Sequence, residues 1–180
     1  MSAVNQQAVP DARQLFAQWW RERAPLARKR MPWAISGVLF VILFSQYFAI
    51  GWVVTESVGA SAVLVIKGTA PVRDQLFAFE YLGPEIGNHR KGEMFVKFAQ
   101  GMPGDVIVRD GREFFMNGKS LGVAKERSMG GLPLEASDGG VVPEGAIYAY
   151  APHKDALDSR YKLQGMVPRH AVIGRAIRLF

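Results

Sequence analysis

The sequence predicts a mostly β domain carried behind one N-terminal transmembrane helix. Three observations lead there: an uncharged apolar run of 22 residues near the N-terminus, short apolar runs separated by turn residues afterwards, and no long amphipathic helix beyond residue 55. With 180 residues, 49% of them hydrophobic, and a mean hydropathy of +0.04, the chain holds one modest domain plus an anchor and is too apolar to be disordered. The lack of cysteine excludes a disulfide scaffold, thiolate-bound zinc, an iron–sulfur cluster and a cysteine nucleophile. With only three histidines (His89, His153 and His170), neither a His-rich metal site nor a Ser-His-Asp triad is expected. No metal or organic cofactor is implied.

The anchor is residues 33–54, WAISGVLFVILFSQYFAIGWVV. A helix rising about 1.5 Å per residue crosses a ~30 Å hydrocarbon core with about 20 residues. Trp33 and Trp52 stand near its ends, where amphipathic rings favour the headgroup level. A buried core helix and a cleaved signal peptide are the alternatives. Ala60-Ser61-Ala62 resembles a small-residue cleavage site, but the run is longer than a signal-peptide core and starts after 32 residues, so a retained helix is preferred.

Charge sets the orientation. Residues 1–32 hold six basic residues (Arg13, Arg21, Arg23, Arg28, Lys29 and Arg30) against Asp11 and Glu22. The remaining 16 basic and 14 acidic residues leave 55–180 at only +2. The Arg28-Lys29-Arg30 triplet abuts the apolar run, which places the N-terminus in the cytoplasm and 55–180 on the far side of the membrane. The net charge of +6 therefore reads as topology and contact with the lipid bilayer, and no nucleic-acid partner is expected. Residues 1–32 form a basic cytoplasmic tail. Within it, 11–30 has Leu15, Phe16, Trp19 and Trp20 at helical spacing, as an interfacial helix broken near Pro25 or a loosely ordered tail would.

The exported part reads as strands. Residues 62–67, 75–81 and 94–100 are apolar or alternating. Gly101-Met102-Pro103-Gly104-Asp105 is a turn. Residues 106–109 and 113–116 flank Asp110-Gly111, a hairpin signal, and Asn117-Gly118 marks a second tight turn. Residues 145–150 and 171–179 complete the strands, while 122–142, rich in Gly, Pro and Ser, reads as an irregular excursion.

Two residues carry candidate chemistry. Lys97 lies mid-strand on a face with Phe95 and Ala99, where a lysine either snorkels to water or loses its proton. A neutral amine at pH 7 is a competent general base. Ser57, in Thr55-Glu56-Ser57 just beyond the anchor, would present a hydroxyl at the membrane surface, and it becomes a nucleophile only beside a base. A solvated strand lysine and an ordinary juxtamembrane turn are the structural alternatives.

The stretch from Phe95 to Asp105 resembles the lysine box of type I signal peptidases (S26), with Lys97 eight residues before the Asp of a Gly-x-Pro-Gly-Asp turn. Val141-Val142-Pro143-Glu144-Gly145, Asp158-Ser159-Arg160-Tyr161 with Gly165 and Val167-Pro168, and Gly174-Arg175-Ala176 resemble later segments of that family in the same order. The likeness covers roughly 50–180. The box from Ala151 to Tyr161 is most similar to the TraF-type conjugative-transfer signal peptidases.

The resemblance implies a signal-peptidase-like β domain over 55–180 and a serine endopeptidase with a Ser/Lys dyad. It assigns Ser57 as nucleophile, with Thr69 of Gly68-Thr69-Ala70-Pro71 as the rival alignment, and Lys97 as base. Thr55 would help bind the oxyanion, and Asp158, Ser159 and Arg160 would support the site. The implied partners are a conjugative pilin precursor or another exported protein, which is cleaved and in some relatives cyclised, and proteins of the conjugation machinery. Two departures stand out: Gly59 where a proline is usual, and Ala156 where many relatives have a serine whose hydroxyl holds the lysine. They keep open an inactive scaffold of a conjugation or type IV secretion complex. A plain membrane-anchored β domain binding an envelope partner is the third possibility.

Overall fold

The fold is taken from a computed structural model that describes residues 11–52, 59 and 61–179. The chain divides into two compact units, one ending at Ser45 and one starting at Gln46.

The first unit is helical. Helix α1, Ala12–Tyr47, runs through both Pro25 and Pro32. The expected break at Pro25 is not seen. A proline forfeits one N–H bond, but its neighbours Ala24, Leu26, Ala27 and Arg28 are strong helix formers that carry the segment past it. The Arg23 guanidinium lies 5.2 Å from the centre of the Trp19 ring.

The expected transmembrane helix over 33–54 needs correction. The helix stops at Tyr47, and Phe48–Trp52 is strand β1. The 15 residues from Trp33 to Tyr47 span only about 22 Å at about 1.5 Å per residue. Among the described residues no helix is long and apolar enough to cross a membrane. The physical reason is periodicity. Apolarity persists through residue 52, but beyond Tyr47 it serves a sheet, where β-branched and aromatic side chains also fit.

The second unit is built on two sheets. The large one has seven strands in the order β1-β2-β11-β3-β4-β9-β10. Its strands are β1, β2 (Ala62–Lys67), β3 (Leu76–Glu80), β4 (Met94–Gly101), β9 (Ala146–Tyr150), β10 (Val167–Pro168) and β11 (Val172–Arg178). The small sheet runs β7-β6-β5-β8, from β5 (Val106–Asp110), β6 (Glu113–Met116), β7 (Lys119–Val123) and β8 (Gly140–Val141). Both hairpin signals hold, since β5 pairs with β6 and β6 with β7. Asn117 and Gly118 take φ of 51° and 75°, the left-handed pair that a two-residue hairpin loop requires.

Alternation sorts the large sheet. Val63, Val65, Ala78, Val96 and Ala176 form one buried cluster. Phe77, Phe79, Tyr81, Phe95 and Ala99 form another with Ile147 and Ala149. At Gly174 β11 lies close against β2, because a Cβ there would overlap the carbonyl oxygen of Ile66. Register puts Arg175, Phe77 and Lys97 in one row across β11, β3 and β4. The catalytic candidate is thereby flanked by a fully buried phenyl ring.

Candidate active site

Strand alternation turns Lys97 into the sheet's packed face. Its side chain is 6% exposed, and its Nζ lies 5.8 Å from the centre of the Phe95 ring. Burial therefore dominates its titration. Removing an ammonium from water disfavours the charged form, while Asp158 opposes the shift and Arg160 adds to it. The amine falls from 10.5 to about 8. Roughly a tenth of the molecules then carry a neutral amine at pH 7.

The segment after β9 folds back to build the support. Asp158 is fully buried and accepts hydrogen bonds from Ala151 N (3.1 Å) and Arg160 N (3.1 Å). Arg160 grips the same carboxylate in bidentate fashion, Nε to Oδ1 at 2.9 Å and Nη2 to Oδ2 at 2.8 Å. Its remaining donors reach Leu121 O in β7 and Ala151 O, both at 3.2 Å. Burial works against the guanidinium charge, but Asp158 outweighs it and holds the group above its ordinary value. One ion pair thus ties the small sheet to the loop beside Lys97. Ser159 pairs with Ala149, donating N–H to its carbonyl and accepting its N–H at Oγ, each at 2.9 Å. Its hydroxyl oxygen is therefore engaged by backbone.

Lys97 and Ala156 open onto one groove of about 1040 Å³. One wall is a hairpin loop at 86–89, closed by Ile86 N to His89 O (3.1 Å) and the reverse bond (3.0 Å), with the His89 ring edge-on to Phe95. The facing wall is a flap over 124–134, inside the stretch expected to be irregular. It is a small hairpin: Leu134 N donates to Glu126 O at 2.7 Å and Ser128 N to Leu132 O at 2.8 Å. Arg112 secures its base through the carbonyls of Ala124, Lys125 and Leu134, and Lys125 N donates to the Tyr161 hydroxyl at 3.0 Å. An ion pair between Lys125 and Asp155 fastens the flap to the loop that carries Ala156. Arg112 and Lys125 were not singled out by sequence, and Asp155 and Tyr161 entered only as members of the Ala151–Tyr161 box. The available signal was the Ser128-Met129-Gly130-Gly131 turn between Arg127 and Leu132.

Thr55 and Ser57 lie outside the described residues. Thr69, the rival nucleophile, closes the end of β2 instead. Its hydroxyl donates to Ile66 O at 2.6 Å and accepts Arg175 N–H at 2.9 Å, and the residue does not line the Lys97 groove. Among the described residues no group of three or more His, Asp or Glu side chains is placed to hold a metal ion.

Comparison with known proteins adds the lineage. The family model for signal peptidase, peptidase S26, matches residues 30–180. The chain belongs to the S26 signal peptidase family. No curated protein matches it. Among solved structures, this S26 protein is similar to a signal peptidase I from Enterococcus faecalis V583, with 23% sequence identity and a TM-score of 0.40, covering 59% of this chain and 97% of that one. The matched region of the family model takes in Lys97, the Asp158-Ser159-Arg160 box and the Ser57 segment alike.

Proposed function

We propose that this S26 protein is a serine endopeptidase in which Lys97 is the general base and Ser57 the nucleophile, cleaving an exported precursor, with a conjugative pilin precursor as the substrate class. The observation that carries this is Lys97: a buried amine lowered to about 8, opening onto a groove of about 1040 Å³. Topology supports the partner. Ser57 falls in the connection between Trp52 and Ala62, which are register neighbours, and Trp52 lines the groove.

In the proposed reaction the neutral Lys97 amine takes the proton of Ser57 Oγ, and Oγ attacks the scissile carbonyl. The Ser57 N–H and Thr55 hydroxyl stabilise the oxyanion. The Lys97 ammonium returns its proton to the leaving amine. Water, or a second amine if the product is cyclised, then resolves the acyl-enzyme. Asp158 and Arg160 act by positioning the loop beside Lys97. The location that goes with this reading is the bacterial inner membrane, with the Arg28-Lys29-Arg30 triplet at anionic lipid headgroups and the β unit acting in the periplasm beside conjugation-machinery proteins.

Ala156, which lines the same groove as Lys97, favours a second reading, an inactive scaffold of a conjugation or type IV secretion complex, because it stands where the family resemblance implies a serine. A cleavage assay with a candidate pro-pilin decides between them. Cleavage by wild type, lost in both Lys97→Ala and Ser57→Ala, supports the peptidase. No turnover by wild type, with pro-pilin still co-purifying, supports the scaffold.

A further inference from the structure

The small sheet departs from the usual pattern of an antiparallel sheet that packs one face on a core. Its inward positions are regular: Ile107, Phe114, Met116 and Leu121 are buried in one cluster. The outward positions of such a sheet are ordinarily polar. Here β5 turns out Val106 and Val108, 50% and 54% exposed, and Val141 of β8 is 60% exposed. Register makes them neighbours. Val106 stands opposite Val141, and Val108 opposite the partly buried Phe115. Single exposed valines need no explanation, whereas a contiguous apolar group marks an interaction surface.

The same face ends in two opposed carboxylates. The alternation that turns Val108 and Phe115 outward does the same for Asp110 and Glu113, two residues away on their strands. Asp110 and Glu113 are direct cross-strand partners, an arrangement that repels. Glu113 accepts the Ser120 hydroxyl at 2.6 Å. Among the described residues neither carboxylate has an ion pair. The arginines nearest in sequence are engaged elsewhere. Arg109 donates to the carbonyls of Gly111 and Ser137 and pairs with Asp138. Arg112 holds the base of the flap.

We infer that the outward face of the small sheet docks a protein segment presenting a basic side chain followed by apolar side chains at intervals of about 7 Å, the spacing of alternate residues in a strand. The basic group meets Asp110 and Glu113. The apolar groups cover Val108 with Phe115, then Val106 with Val141. Charge selects this occupant over two others. Anionic lipid headgroups are repelled by the carboxylates. A second copy laid face to face puts the acidic end against another acidic end or over the valines, so the surface does not complement itself. Nothing in this surface depends on the chemistry of Lys97, so the docking face goes with a peptidase and a scaffold alike.

The probe is a labelled peptide with blocked ends, Lys-Thr-Val-Thr-Val-Thr, and its charge-reversed control begins with Glu instead. Both are titrated by fluorescence anisotropy against the full chain in neutral detergent micelles at low salt. The Lys peptide should bind at least tenfold more tightly than the Glu peptide. That ratio should fall below threefold in Asp110→Lys. The same variant turns a like-charge pair into an opposite-charge one, so its urea midpoint should rise above that of wild type. Val106→Ser combined with Val108→Ser should weaken the Lys peptide at least tenfold, with circular dichroism unchanged because both side chains lie outside the core. No preference for the Lys peptide, a preference kept in Asp110→Lys, or equal binding by the valine variant overturns the inference. An Asp110→Lys midpoint at or below that of wild type overturns it too, since the carboxylates would then be compensated already. So does an effect of the valine variant confined to vesicle binding or self-association, which would assign the face to lipid or to a second copy.

Discussion

Replacing Lys97 with methionine should abolish cleavage and yet stabilise the protein. The side chain keeps its unbranched stem and loses the charge. In the unfolded chain the amine titrates at its ordinary 10.5; in the folded chain it titrates at about 8, because burial outweighs the attraction of Asp158. Since the folded value is the lower one, the unfolded state binds more protons between pH 8 and 10.5, and stability rises with pH across that window. Below pH 8 both states are protonated and the full cost applies. A shift of about 2.5 units corresponds to about 3 kcal/mol at pH 7, falling to about 1 kcal/mol by pH 9.5. Lys97→Met should therefore gain about 2–3 kcal/mol at pH 7, a rise in Tm of several degrees, and lose most of that gain at pH 9.5. The assay is urea unfolding of wild type and variant in matched micelles at the two pH values. A variant no more stable than wild type at pH 7, or a gain that is the same at both pH values, would refute the claim that desolvation controls this amine.

Four further outcomes follow from the same geometry. The rate constant kcat/KM should rise about tenfold per pH unit up to about pH 8 and level off above it, because only the neutral amine is a base; stopped-time cleavage over pH 6–9.5 checks this. Lys97→Arg should be inactive throughout that range, as a guanidinium stays charged. Asp158→Asn leaves the buried Arg160 without its counter-charge and should cost about 3–5 kcal/mol by chemical denaturation, whereas the paired change Asp158→Leu with Arg160→Met should recover much of it. Gly174→Ala would drive a methyl into the Ile66 carbonyl and should destabilise the β2–β11 pairing by about 3 kcal/mol or more, read as loss of soluble folded protein or a lowered unfolding midpoint.

Much of the fold was legible because period-2 patterning is a local property. The expected strands at 62–67 and 113–116 coincide with β2 and β6, and 94–100 falls one residue short of β4. Strand β1 was hidden for a physical reason: FAIGW continues an uncharged, mostly apolar run, and only pairing with 62–67 tells a strand from the end of a helix. Strand β7 was hidden because Lys119-Ser120-Leu121-Gly122-Val123 has little apolar signal and is fixed by its partner β6 and by Arg160 reaching Leu121 O. Residues 122–142 lack periodicity, so the flap they contain is specified by Arg112, Tyr161 and Asp155, side chains distant in sequence. At the site, Lys97 stood out as a charge on an apolar face. Whether it was buried could not be read from alternation alone, since a lysine stem can also snorkel outward. The Asp158–Arg160 pair was suggested by resemblance, while its role as a tie between the two sheets depends on where β7 packs.

The most direct test of the Ser57–Lys97 chemistry is to locate the acyl-enzyme. Wild type and Lys97→Ala are mixed with a peptide substrate at pH 8, quenched in acid within one turnover and digested, and the added acyl mass is mapped. An adduct on Ser57 in wild type, absent from Lys97→Ala, is the expected result. An adduct on another residue, or equal acylation of Ser57 without Lys97, would contradict the assignment of this amine as the base.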